Sequence, residues 1–412
     1  MSTILYLIDQ PLDERNYARF GIQAWRERGW EVEVWDLTPL LYPRNWQEFL
    51  ESGGTLKPCA GYFPVTSMSQ MEQRASSLPR VEYFIDLTGD GHSAIRAKLF
   101  LLQKGAKRVI CATGSIPEPD RGRERGLVSR FRRALGEGFI PAVGRLASAV
   151  ARRWAAPRLR PSVVVVSGEK SMAALAAGQD GEILRAHNLD YDIYLALARS
   201  ARGAAREYAV FLDQDYCFHR DFVLSPGTLW ITPEKYFPAV CNGLRKISQA
   251  LQVDLRIAAH PRSSYPQRVP DYFEGIPVEY GRTAELIRDS KVVVCHDSTA
   301  IQFAVLFEKP LIFFTTDDLE ASLWGKSIAA FASELGKSVI NVDRDLGGVD
   351  WRKEVSVDAR KYAAYRSKYI KTPGSPEMPH WEIVIDHIER AVHSGGVDGP
   401  LQVALNSNQA PK

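Results

Sequence analysis

The chain has no closely spaced cysteines. Its five, Cys59, Cys111, Cys217, Cys241 and Cys295, are scattered through 412 residues and show no metal-ligand spacing. That pattern argues against a disulfide framework or a structural zinc and fits a reducing compartment, where such residues fill cores. Long apolar runs are also missing. No window approaches the ~20 residues of a membrane span, and the first ten residues lack the basic and long apolar regions of a secretory leader. The expected location is therefore the cytoplasm. No Walker loop, GxGxxG fingerprint or GxSxG elbow occurs, so there is no standard phosphate loop and the simplest hydrolase reading falls away. Internal repeats and low-complexity blocks are absent too. What remains is an ordinary composition, 45% hydrophobic and 25% charged, long enough for two domains.

Net charge is small overall and concentrated locally. Between Arg121 and Pro161 stand eleven arginines, no lysine and two acids, Glu124 and Glu137, so this stretch carries +9 in a chain of net +3. Apolar residues from Leu127 to Trp154 recur within it at mostly three- or four-residue intervals, which predicts an amphipathic basic helix or helix pair broken near Pro141. Such a segment suits an anionic membrane surface, and opens attachment to the inner face of the cytoplasmic membrane; a solvated helix packed on the protein is the plainer alternative. No nucleic-acid recognition motif accompanies the charge, and nucleic acid is not an expected partner.

Strand and helix patterns alternate along the chain. Apolar runs at 4–8, 31–35, 81–85, 108–110 and 163–166 predict strands, with helices at 16–28 and 93–103. After an Ala-rich helical stretch, 193–205, the rhythm resumes with strands at 208–212, 255–259, 291–295 and 311–314 and helices at 233–251, 283–289 and 300–307. This is the pattern of two α/β units with parallel sheets. The expected organisation is a first unit, 1–205, carrying the basic insert 121–161; a second unit, 206–379; a helix, 380–393, long enough to pack back across the junction; and a polar, mobile tail, 394–412.

Chemistry-bearing residues fall at the predicted strand ends. His260-Pro261-Arg262 follows one strand and His296-Asp297-Ser298-Thr299 the next but one element, so a histidine, an arginine and a hydroxyl pair would meet in one crevice. Ser298 and Thr299 also open an apolar helical run, whose free N–H groups favour an anion; together this is an arrangement for a phosphate. Asp213 and Asp215, with His219 trailing, end the first strand of the second unit, and His187, Asp190 and Asp192 close the first unit. Carboxylates there can act as nucleophile or base and a histidine can donate a proton. Gly89 and Asp90, in a loop after a strand, would face the cleft and touch an acceptor, as would His187. The Asp-x-Asp spacings have no further oxygen ligands clustered beside them, so neither a metal nor another cofactor is expected.

With those motifs in place, the chain resembles bacterial surface-polysaccharide glycosyltransferases of the GT-B fold, two Rossmann-like parallel-sheet domains facing a cleft. The similarity rests on His187-Asn188-Leu189-Asp190-Tyr191-Asp192, Phe211-Leu212-Asp213, His260-Pro261 and Ser298-Thr299, and spans most of residues 1–395. The His-Pro pair and the Ser/Thr pair are similar to those that bind cytidine monophosphate in sialyltransferase-like and Kdo-transferase families. The resemblance implies a CMP-activated ulosonic acid as donor, and a surface glycan or lipid-linked acceptor. His260, Pro261, Arg262, Ser298 and Thr299 would hold the nucleotide, and Asp213 or Asp215 would form a covalent adduct in a retaining route. Asp190 or Asp192 would then activate the acceptor; in an inverting route Asp213 or Asp190 is simply the base. Two alternatives stay open: a UDP-sugar or CDP-glycerol transferase on the same fold, and a non-catalytic, membrane-docked scaffold of polysaccharide assembly.

Overall fold

The computed structural model describes residues 2–78, 81–119, 153–175, 181–200, 207–218, 231–268 and 271–394. His219, most of the basic segment and all but the first residue of the expected tail lie outside them. Among the described residues, thirteen strands form two all-parallel sheets. The first holds β1 (Thr3–Ile8), β2 (Glu31–Asp36), β3 (Tyr62–Pro64), β4 (Tyr83–Leu87), β5 (Lys107–Ala112), β6 (Val163–Ser167) and β7 (Glu182–Ala186), in the order β3-β2-β1-β4-β5-β6-β7. The second holds β8 (Tyr208–Leu212), β9 (Asp254–Ala258), β10 (Val278–Glu279), β11 (Val292–Cys295), β12 (Leu311–Thr315) and β13 (Val339–Asn341), in the order β10-β9-β8-β11-β12-β13. Strands β1, β6, β8, β11 and β12 are buried along their whole length, which is why they read as unbroken apolar runs: helices cover both faces of a parallel sheet. Each sheet reverses its strand order once, between β1 and β4 and between β8 and β11. Ligands of such sheets bind outside the carboxyl ends at that switch point.

The helix expected at 16–28 is two helices, Glu14–Arg19 and Ile22–Glu27. Asp13 caps the first through Asn16 N at 2.7 Å. Gly21, at φ +64°, turns the chain between them. The glycine is required twice over, because a Cβ there would lie 2.2 Å from the Trp381 ring.

The chain passes between the sheets twice. After β7 the helix Asp190–Arg199 buries Tyr191 in the core of the second sheet. The helix His380–Ser394 returns, placing Trp381, Ile383, Val384, Ile385 and Ile388 in the core of the first. The two passages are stitched together. Asn188 N donates to Ile370 O at 2.9 Å, Thr372 N to Ala186 O at 3.0 Å, and Gly168 N to Thr372 Oγ1 at 2.9 Å. At the end of the basic segment, Ala155 and Leu159 pack on Ile95 of the helix His92–Gln103, while Trp154 stays 58% exposed beneath the Arg158 guanidinium. No helix among the described residues is long and apolar enough to cross a membrane.

Candidate nucleotide site

The carboxyl ends of β9, β8 and β11 lie side by side. Asp213, the first residue after β8, is 4% exposed and spends both carboxylate oxygens on its neighbours. Oδ1 accepts from Asp215 N at 3.0 Å and from the Tyr265 hydroxyl at 3.0 Å, and Oδ2 accepts from His260 N at 3.1 Å. Burial raises its pKa while those donors oppose the rise. Asp213 thus clamps the His260 turn onto β8. The turn closes on itself, with Ser263 N and Oγ donating to His260 O at 2.9 and 2.8 Å. Arg262 N donates to His260 Nδ1 at 3.3 Å, so in the neutral ring the proton sits on Nε2, a donor suited to a phosphate oxygen. Pro261, Arg262 and Thr299 are exposed, and Ser298 is half-buried.

Gln214 bridges the switch point. Its Nε2 donates to Asp297 Oδ1 at 2.9 Å, and Asp297 N returns a bond to Gln214 Oε1 at 3.1 Å, with the Tyr216 hydroxyl donating to the same carboxylate. His296 is a strut rather than a ligand: it is fully buried, its Nδ1 bonds Phe314 O at 2.8 Å and its Nε2 the Tyr236 hydroxyl at 2.9 Å. Because a carbonyl only accepts, Nδ1 carries the proton and Nε2 accepts; burial lowers the pKa to about 4 and keeps the ring neutral. The helix after this motif begins at Ile301, one residue later than expected, and Ser298 Oγ accepts from Ala300 N at 3.2 Å. The serine therefore caps the turn that presents it.

Asp215 is built differently. It is 3% exposed, holds φ +54°, and its Oδ1 has no hydrogen-bond partner. A positive φ is costly for a non-glycine residue and such outliers cluster at functional sites. Burial, then the adjacent Asp213 charge, raises its pKa to about 6 against the pull of Arg268. Arg268 stands 3.9 Å from Oδ1, its guanidinium lying 3.6 Å over the Phe218 ring and its Nε donating to Ser264 Oγ at 3.2 Å. Of the two carboxylates that end β8, Asp215 is the one with an oxygen that accepts no hydrogen bond.

The other acidic pair does not join this cluster. Asp192 Oδ1 accepts from His380 N at 2.8 Å, capping the returning helix, and burial first of all raises its pKa to about 6. Asp190 is raised by burial and pulled back by Arg19 and Arg15 of the first unit. His187, expected to touch an acceptor, is fully buried with Nδ1 on Asn188 O at 2.9 Å and Nε2 on Met378 O at 2.8 Å. It is part of the crossover stitching, and the acceptor expectation is corrected on that ground: no ring nitrogen is left for a ligand. Among the described residues no three His, Cys, Asp or Glu side chains converge as metal ligands.

At the switch point of the first sheet, the Thr88-Gly89-Asp90 loop is locked from below. The buried Lys98 ammonium donates to Gly89 O at 3.0 Å and Asp90 Oδ1 at 3.1 Å, and pairs with Asp86 at 3.1 Å, which also holds Arg108. Gly89 N donates to Asp9 Oδ2 at 2.9 Å. Asp9, at the end of β1, was not singled out by any motif, and neither were Gln214, Tyr265 and Arg268; their roles depend on neighbours 52 residues away or more in the case of Tyr265 with Asp213. The only local signal for Asp9 is a carboxylate directly after an apolar strand.

In overall structure the chain is similar to the wall teichoic acid polymerase TagF, with 11% identity, a TM-score of 0.50, and 95% of this chain and 90% of that chain covered. It is also similar to UDP-GlcNAc 2-epimerase from Methanocaldococcus jannaschii (12% identity, 94% and 100% covered, TM-score 0.45) and to MurG from Acinetobacter baumannii (9%, 95% and 100%, TM-score 0.45). No protein-family model and no curated protein matches the sequence. The two parallel sheets and the similarity to TagF give the GT-B fold. At these identities the likeness extends to fold and no further.

Proposed function

We propose that this GT-B chain is a glycosyltransferase that binds a nucleotide-activated sugar over β9, β8 and β11, with a CMP-activated ulosonic acid as donor and a surface glycan or lipid-linked acceptor. The observation that carries the reading is the Asp213 clamp, a buried carboxylate whose oxygens tie the His260 turn, Tyr265 and Asp215 N together beside the switch point. His260, Arg262, Ser298 and Thr299 supply donors for one phosphate, so the charge that develops as the glycosidic oxygen leaves is stabilised in place. Asp215 supplies the reacting carboxylate. In a retaining route its oxygen bonds the anomeric carbon as the carbon–oxygen bond to CMP breaks; the acceptor hydroxyl then displaces the carboxylate from the face CMP has left, its proton passing to the released CMP phosphate. The loop of Gly89 and Asp90 faces the acceptor. The arginine-rich segment holds the enzyme at an anionic membrane, where lipid-linked acceptors reside.

Calorimetric titration with CMP, UMP, UDP and CDP tests the donor pocket. His260→Ala, and Ser298→Ala with Thr299→Ala, should each weaken CMP binding by about 1 to 3 kcal/mol through lost charge-assisted hydrogen bonds. Unchanged CMP affinity in both rules the pocket out. A UDP-sugar or CDP-glycerol donor is the second reading, favoured by the two guanidiniums, Arg262 and Arg268, that the segment after β9 carries; tighter binding of a diphosphate than of CMP would select it.

A further inference from the structure

A cavity of 360 Å³ opens at the ends of β12 and β13, on the side of the second sheet away from β9. Its lining includes polar Thr315, Glu320, Asn341 and Arg344 and apolar Ala329 and Leu346. Thr315 and Asn341 are more than nine-tenths buried. Asn341 Nδ2 donates to Glu320 Oε2 at 2.7 Å, and Arg344 Nη2 donates to the same oxygen at 2.7 Å. The glutamate is therefore held in one orientation with both of these bonds on Oε2, and Oε1 is the oxygen that remains to accept from a ligand. Arg344 presents further N–H donors beside it. An acceptor next to a donor, above apolar walls, matches a flat heterocycle carrying an amino group next to a ring nitrogen or carbonyl.

Position says which heterocycle would arrive there. β12 pairs with β11 and β13 with β12, so two strand spacings, about 10 Å, separate the Ser298 turn from the cavity. That is the reach from the phosphate of a nucleoside monophosphate to the edge of its base, and the volume falls in the range of small-ligand sites. We infer that this cavity receives the base of the nucleotide, with Glu320 accepting from an exocyclic amino group and Arg344 donating to the adjacent acceptor, an arrangement that selects cytosine over uracil. The inference rests on the donor reading above, since it presupposes a nucleotide whose phosphate lies at His260 and Ser298. Uracil would turn a carbonyl toward the Glu320 carboxylate, acceptor against acceptor.

The test compares CMP, UMP and ribose 5-phosphate by calorimetry on the full chain. Wild type should prefer CMP to UMP. Glu320→Ala, at a side chain half exposed to solvent, should lower CMP affinity by about tenfold and remove the preference. Ala329→Trp, on the exposed side of its helix, should fill the cavity and weaken CMP at least as much. Ribose 5-phosphate should bind both variants as it binds wild type. Unchanged CMP affinity in both variants overturns the base assignment while leaving the phosphate pocket standing, as does a parallel loss of ribose 5-phosphate or equal binding of CMP and UMP by wild type. Failure of wild type to bind any nucleotide overturns the donor reading itself, and this inference with it.

Discussion

Two aspartates two residues apart, with nearly equal burial, end in opposite chemical states. Asp213 has both oxygens hydrogen-bonded and holds the His260 turn; Asp215 keeps an oxygen that accepts no hydrogen bond and a strained backbone. The sign of the pH dependence follows. An acid raised from 3.8 to about 6 is still protonated in the folded state where the unfolded chain has already released its proton. Asp215 therefore subtracts from stability as pH rises through that window, and above it the cost is at most about 3 kcal/mol. Asp215→Asn should raise the melting temperature by a few degrees at pH 8 and leave it unchanged near pH 4. The same variant should lose turnover by orders of magnitude while binding CMP normally, and should show no sugar-sized adduct by mass spectrometry where wild type does. Greater stability with lost activity is the mark of a residue kept for function; near-normal turnover would return the role to Asp190. The sequence could not separate the two aspartates. Both follow an apolar strand, and what distinguishes them is Tyr265, His260 and Arg268, which only tertiary folding brings near.

Elements were legible where burial is continuous. Strands β1, β6, β8, β11 and β12 and the helix Pro233–Leu251 read directly, because two-sided cover writes unbroken apolar runs and Pro233 marks a first helical turn. Edge strands β3, β7, β10 and β13 did not. They are two to five residues long and partly exposed, so neither run nor alternation survives. The break at Gly21 was hidden for another reason: its cause, Trp381, is 360 positions along the chain. Gly21→Ala puts a methyl into that ring and strains a left-handed residue. It should cost about 2 to 4 kcal/mol, read as a lower urea midpoint, and loosen the helix His380–Ser394 from the first sheet. Trp381→Ala should cost at least as much through the cavity it leaves and the lost bond from Nε1 to Arg19 O at 2.8 Å. A shift below about 0.5 kcal/mol for Gly21→Ala would mean that the returning helix docks without this contact.

At the scale of the whole molecule, charge is segregated. The stretch from Arg121 to Pro161 holds +9 and the rest of the chain is at −6, so on the proposed membrane attachment the arginines act against the field of the body. Each arginine near a surface rich in acidic lipid contributes about 1 kcal/mol. Five of them, Arg130, Arg132, Arg133, Arg152 and Arg153, then account for about 5 kcal/mol, three to four orders of magnitude in partitioning. On that proposal the exposed Trp154, stacked under Arg158 where the segment rejoins the first sheet's helices, would add an aromatic group of the kind that prefers the lipid–water boundary. Wild type should therefore sediment with phosphatidylserine vesicles at low salt and be released at about 0.5 M salt, where screening cuts the attraction. The five-fold Arg→Gln variant should stay in solution at every salt concentration, and neither protein should bind phosphatidylcholine vesicles. If wild type ignores acidic vesicles at low salt, the segment packs on protein and the acceptor reaches the enzyme without a membrane.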